Sequence, residues 1–196
     1  MGNRERDRKE NLFTTPQYTT AEEIKKIRTQ LKLTQKEFAS LINCSKPTVE
    51  RWERSKTVIT GPVVFILSML EKYPEYVKEI RIPERTTLLR LWYMYKQKVC
   101  TIIDVDEMNQ RVKITNFTNS VIMRAFGAEE HPDYSAYVEF LESRCFPRSR
   151  DKIKLVLRDL ELPFYDPLMI IEKTEGRMAE DDFWIKIERQ YNDRII

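Results

Sequence analysis

The stretch CSKPTVERWERSKT, residues 44–57, gathers Lys46, Glu50, Arg51, Arg54 and Lys56 around one apolar pair, Val49 and Trp52. On a helix, positions three apart share a face, so Val49 and Trp52 point one way and most of the charge points the other. Ammonium and guanidinium groups on one short helix can meet phosphate oxygens. An arginine can also fork onto two adjacent acceptors, as on the edge of guanine. Ser45 is a helix-capping residue type, and Pro47 is tolerated in a first turn whose N–H groups have no intrahelical partners.

Other chemistry-bearing residues converge less well. MAEDDFW places Glu180, Asp181 and Asp182 beside Arg177, but adjacent carboxylates on a chain diverge, so a solvated or arginine-paired turn is expected before a metal or acid–base site. ESRCFPRSR brings Arg144, Arg148 and Arg150 near Cys145, where binding of an anion or of partner acids competes with a surface loop packing Phe146. His131 precedes a proline and reads as a surface histidine. Cys44, Cys100 and Cys145 are far apart and lack ligand spacing, so buried reduced thiols are expected and no metal site. No catalytic residue set stands out, no cofactor is implied, and the expectation is a protein that is not an enzyme.

Composition sets the frame. A chain of 196 residues, 41% hydrophobic and 33% charged with four glycines, holds one large domain or two small ones and leans toward helix. The net charge of +3 is unevenly spread. Residues 1–80 carry 15 basic and 11 acidic side chains, and residues 81–196 carry 19 and 20. The positive excess therefore accompanies the charged helix, compatible with a polyanion partner without identifying one. No apolar run approaches a membrane span, and MGNRERDRKENLF has no apolar signal core, so no membrane association and a cytoplasmic, nucleoid-associated address are expected.

The elements that must position these residues are legible in the N-terminal half. Residues 1–18 lack a periodic apolar face and read as a flexible arm, in which Arg4, Arg6, Arg8 and Lys9 either touch phosphate or simply solubilise the chain. Thr20 with Glu23, and Thr34 with Glu37, form capping-box patterns that open two helices. Their apolar stripes are Ile24, Ile27 and Leu31, then Phe38, Leu41 and Ile42. Ser45 caps a third helix to about Arg54, Gly61-Pro62 starts a fourth, and EYVKEI extends the bundle by a turn. A boundary falls near Pro83, giving domains at 19–82 and 86–196.

Beyond it, VCTIIDV and QRVKITN flank the short turn DEMN and predict an antiparallel meander. The preceding segment, Leu88 to Tyr95, fits a strand or a buried helix. Helices are predicted in PDYSAYVEFLESRCF, in RDKIKLVLRDL opened by Ser149, and in PLMIIEKTE opened by Asp166 and ended by Gly176, with FWIKI as a closing strand. The fold class expected is an all-α helix-turn-helix bundle of four to five helices followed by a small α+β domain with several helices.

Two capped helices, a tight turn and a third helix with an exposed start are the plan of a helix-turn-helix. IRTQLKLTQKEFASLINCSKPTVERWERSK resembles the Xre, or Cro/phage-repressor, family, through Thr34-Gln35, Phe38-Ala39 and TVERWE. GPVVFILSMLEKYPE is similar to the DNA-binding half of MqsA-type antitoxins. The resemblance implies base contacts from Lys46, Pro47, Glu50 and Arg51. Phosphate contacts fall to Gln35, Ser45, Thr48, Arg54 and Lys56, and a structural ion pair to Arg28 and Glu53. Where the family usually has glycine after WER, this chain has Ser55, which bears on the aim of Lys56. Residues 88–187 resemble the small module ahead of the kinase core in HipA-like toxin kinases, but the chain has no Gly-rich phosphate loop, catalytic loop or DFG-type site.

The function expected on these grounds is a sequence-specific, dimeric regulator of double-stranded DNA, as an antitoxin or a mobile-element repressor. A toxin or other protein would be held by the C-terminal domain. The alternatives are an adaptor that binds only protein through the same helices and, from another class, an enzyme built on the acidic turn.

Overall fold

The computed structural model describes residues 13–190, which divide into two compact units between Arg81 and Ile82. Arg4, Arg6, Arg8 and Lys9 lie outside the described residues. The N-terminal unit is helical, with α1 (Ala21–Gln30), α2 (Gln35–Leu41), α3 (Lys46–Glu53), α4 (Pro62–Lys72) and α5 (Pro74–Glu79).

Local chemistry explains where these helices start and stop. Both capping boxes are reciprocal: the Thr20 and Thr34 hydroxyls accept the N–H of Glu23 and Glu37, whose carboxylates accept the threonine N–H. Ser45 caps α3 by accepting the Thr48 N–H. After α1, Lys32 turns left-handed at φ 56°, and after α2 Asn43 does so at φ 54°, which aims the chain into α3. The break at Tyr73-Pro74 separates α4 from α5 instead of extending one helix.

Ile24, Phe38 and Val49, one from each of the first three helices, are completely buried, with Val63, Val64, Leu67 and Leu70 of α4 closing the core. Leu31, Leu41 and Trp52, assigned to the core by periodicity, sit half-buried at its margin, and Leu33 and Ile59 fill it from the connections. Helical periodicity cannot find those two, because they lie outside helices. Ile59 is held by a two-bond bridge with Thr19, each N–H···O 2.9 Å.

The C-terminal unit is a four-stranded antiparallel sheet in the order β3-β2-β1-β4, from β1 (Leu89–Tyr95), β2 (Lys98–Asp106), β3 (Arg111–Asn116) and β4 (Phe183–Arg189). Helices α6 (Tyr134–Ser143), α7 (Ile153–Asp159) and α8 (Pro167–Thr174) lie between β3 and β4 in sequence. The ambiguous segment is a strand because it pairs on both edges: Leu91 stands opposite Ile103 on one side and Ile187 on the other. A central strand is buried along most of its length, hence its dense apolar run. Its residues Leu89, Leu91 and Tyr93 pack with Ile103, Val105 and Ile185 against Tyr137, Phe140, Ile170 and Ile171.

Two details differ from the sequence reading. Helix α7 begins at Ile153, not after Ser149. The segment before it is spent in a turn with Arg150 N–H bonded to the Pro147 carbonyl, and Lys152 enters the helix left-handed at φ 56°. Arg144 is not a surface residue. It is 7% exposed, and its guanidinium binds the Gly176 carbonyl (3.0 Å), both Asp181 oxygens (2.7 and 3.0 Å) and the Phe183 carbonyl (3.0 Å). The acidic turn is therefore arginine-paired, but by Arg144, while the neighbouring Arg177 pairs with Glu175.

Candidate nucleic-acid interface

The outward face of α3 is built from the core outward. Val49 is buried, and Trp52 and Glu53 follow it three and four residues later on the inward side. That leaves Lys46, Pro47, Glu50, Arg51 and Arg54 on the opposite face. Lys46, Pro47, Arg51 and Arg54 are exposed and Glu50 is half-buried. The Glu50 carboxylate lies between Lys46 Nζ at 3.1 Å and Arg54 Nη2 at 3.5 Å, so these three form one charge ladder along the helix. Arg51 has no carboxylate partner among the described residues, which leaves its guanidinium free to fork.

A buried polar lock sets the angle of this helix. Arg28 of α1 donates from Nε to Glu53 Oε1 at 2.6 Å and from Nη2 to Oε2 at 3.1 Å, and its Nη1 binds the Leu33 carbonyl at 2.8 Å. Gln35 of α2 adds a third donor to the same carboxylate at 2.8 Å. Burial pushes the Glu53 carboxyl up, but the hydrogen bonds from Arg28 and Gln35 and the Arg28 charge outweigh it and hold it below the usual carboxylate range. One carboxylate thus ties three helices together. The sequence reading paired Arg28 with Glu53 but missed that Gln35 spends one amide hydrogen on the same carboxylate. Its second amide hydrogen and the N–H groups opening α2 remain for an outside acceptor.

The remaining sequence-derived positions surround this face. The Ser45 and Thr48 hydroxyls are bonded to each other at 2.8 Å, beside the start of α3. That start carries Lys46 and no acid in its first turn, so the helix dipole and side-chain charge have the same sign there. In place of the glycine, Ser55 closes the helix end with its backbone N–H on the Trp52 carbonyl at 3.1 Å, while its hydroxyl donates to the Thr57 carbonyl at 2.9 Å and accepts the Thr57 N–H at 3.2 Å in the connection beyond. Lys56 is exposed on this connection.

Residues 24–70 match the family model described as Helix-turn-helix. They are a helix-turn-helix domain. The match lies wholly within the N-terminal unit. Antitoxin HigA-2 of Vibrio cholerae serotype O1 is 34% identical to this chain over 59 residues, which cover 30% of this chain and 57% of that relative. The chain thus spans little more than half of the relative's length. In the helix-turn-helix domain, α2 and α3 are the two helices of the motif, and Asn43 supplies the left-handed residue in the turn between them. Among the described residues no helix is long and apolar enough to cross a membrane, and no group of three or more His, Cys, Asp or Glu side chains is placed to hold a metal ion.

Proposed function

We propose that this protein is a sequence-specific DNA-binding regulator, of antitoxin or mobile-element repressor type, which acts as a homodimer on a two-fold operator. The observation that carries the reading is the outward face of α3, with Lys46, Pro47, Glu50 and Arg51 aimed away from the core by the Arg28–Glu53–Gln35 lock. An eight-residue helix fits the major groove and presents its first residues to base edges. Arg51 forks onto a guanine. Gln35, Ser45, Thr48, Arg54 and Lys56 surround that contact and bind phosphate, which sets register without reading sequence.

Dimerisation follows from contact area, because one short helix reads too few bases and a two-fold pair reads two half-sites about 34 Å apart. The C-terminal α+β unit, in this reading, engages a protein partner, and similarity to an antitoxin makes a toxin the first candidate.

The test is selection of duplexes from a random pool by the purified chain at two salt concentrations. A palindrome that stays enriched at the higher salt is expected, since sequence-blind phosphate binding weakens steeply with salt. Arg51→Ala should then cost about 1–3 kcal/mol for each half-site and relax one position in each. Arg54→Ala and Lys56→Ala should instead weaken binding uniformly, and each should lower the salt slope of the dimer by about 1.8, about 0.9 for each half-site. With no enriched site at either salt, the helical domain is a protein-binding adaptor and the DNA reading fails.

A further inference from the structure

The loop after α6 and the helix that follows it carry a charge that the rest of the C-terminal half does not share. FPRSRDKIKLVLR, residues 146–158, holds five basic side chains and one acid, although residues 81–196 as a whole carry 19 basic and 20 acidic ones. Arg150, Lys152 and Lys154 are exposed and have no carboxylate partner among the described residues. Arg148 has only Glu142, at 3.0 Å, and Arg158 only its neighbour Asp159, at 3.8 Å. Exposed pairs of this kind contribute little, so these two guanidiniums are also open to an outside acceptor.

Two of these arginines are held in place by rings. The Arg148 guanidinium lies 4.7 Å from the ring centroid of Tyr165, that of Arg150 lies 5.7 Å from Phe146, and the two rings meet edge to face at 5.7 Å. The Tyr165 hydroxyl donates to the Phe146 carbonyl at 2.8 Å, which pins the stack between two segments. A guanidinium over a ring keeps its N–H edge for carboxylate oxygens and has less freedom to lose on binding than one on a free stem. Apolar side chains stand among the charges. Helix α7 buries Leu157 and packs Ile153 against the core, so its outer face carries Lys154, Leu155 and Arg158, and Leu155 is 44% exposed. Phe164, next to Tyr165 of the stack, is 60% exposed. The backbone of DNA is charged along its whole length and gives such side chains nothing to bury against, whereas a protein surface with apolar side chains ringed by acids does.

We infer that this surface of the C-terminal unit is the docking site for an acidic, amphipathic segment of a partner protein. Carboxylates of that segment meet Arg148, Arg150, Lys152 and Lys154, and its apolar face covers Leu155 and Phe164. The inference rests on the reading of this unit as the one that engages a protein, and it gives that reading a surface and a partner of definite chemistry. It needs no DNA.

Selection of peptides from a displayed random library by the purified full chain tests it. The enriched peptides should carry Asp and Glu around apolar residues, and the strongest of them, synthesised with a fluorophore, should bind more weakly as salt rises. Arg150→Glu/Lys154→Glu sets like charges face to face and should raise its dissociation constant by about tenfold or more. Phe164→Ala removes an aromatic anchor and should raise it by about tenfold. All three side chains are exposed and make no side-chain hydrogen bond among the described residues, so the fold is kept, which an unchanged circular dichroism spectrum checks. Lys113→Glu, which reverses an exposed cation on β3, should leave the affinity within about twofold of wild type, because a distant charge is screened. Enriched peptides without an excess of acids, or a peptide that binds the double variant as tightly as wild type, overturn the inference and leave the partner-binding reading standing. A chain that enriches no peptide overturns both. If the double variant keeps the peptide and instead shows a lower salt slope for duplex DNA, the surface binds phosphate and the inference falls.

Discussion

At the residue scale the molecule depends on a few carboxylates whose surroundings have been worked out in detail by the fold. Glu53 is the clearest. Its carboxyl is held low despite burial by Arg28 and Gln35, so ionised Glu53 stabilises the folded state. A depressed folded pKa means that the stabilisation is complete above the unfolded value, about 4.3, and is lost as pH falls through the folded value. Glu53→Gln leaves the Arg28 guanidinium buried without its counter-ion and should cost about 3 kcal/mol near neutral pH. Thermal melts of the two proteins should draw together as pH falls below the unfolded value and meet only once it has passed through the lowered folded value, where wild-type Glu53 is itself neutral. A difference in Tm that stays constant from pH 7 to pH 3 would remove the carboxylate from this role. Arg144 in the C-terminal unit has a comparable position, since its four hydrogen bonds join the end of α6 to the turn after α8 and the start of β4. The hydrogen bonds from Arg144 hold Asp181 below the usual carboxylate range, which is the structural role of that carboxylate in the acidic turn.

At the element scale, the ends of helices decide where the next element points. The end of α8 is the strictest case. Glu175 and Gly176 are both left-handed, at φ 55° and 59°, and Gly176 lies so close to β4 that a Cβ would meet Ile185 Cδ1 at 3.3 Å and Arg144 Cβ at 3.4 Å. Gly176→Ala combines a disfavoured backbone with a tight contact and should destabilise the chain by about 1–2 kcal/mol, read as a lower urea midpoint. An unchanged midpoint would mean that the turn has other conformations within reach. Thr34→Ala, which removes the cap of α2, should cost about 1 kcal/mol. Because α2 carries Gln35 into the lock on Glu53, its loss should reach DNA affinity as well as stability. Tertiary context, by contrast, set the start of α7, where Ser149 offered a cap and the turn after Pro147 delayed the helix by three residues, from Arg150 to Ile153.

At the scale of the whole molecule the described residues form two cores, one around Ile24, Phe38 and Val49 and one around the sheet, with no buried residue among them shared. Damage to one is therefore expected to stay local. Phe38→Ala empties the centre of the helical core and should cost about 3–5 kcal/mol. Hydrogen exchange should then show α1 to α4 losing protection and DNA binding failing, while the amides of β1 and β2 keep theirs. Equal loss in both units would show a single cooperative core.

How much of this was written in the chain itself follows from the range of the interactions involved. Capping boxes, the proline breaks, the period of α1 to α3 and the alternating strands around DEMN act within a few residues, so the sequence alone determined the helix-turn-helix plan and the meander. The charged face of α3 was legible for the same reason, since Val49 and Trp52 fix its phase. Contacts between residues far apart were decided only by the tertiary structure. Leu33 and Ile59 enter the core from connections without a period, Gln35 joins Arg28 on Glu53 across three helices, and Arg144 reaches Asp181 across 37 positions. Leu88 to Tyr95 shows the limit most directly: its composition suited a buried helix or a buried strand. Only pairing on both edges, with β2 and with a strand ninety residues later, made it the centre of a sheet.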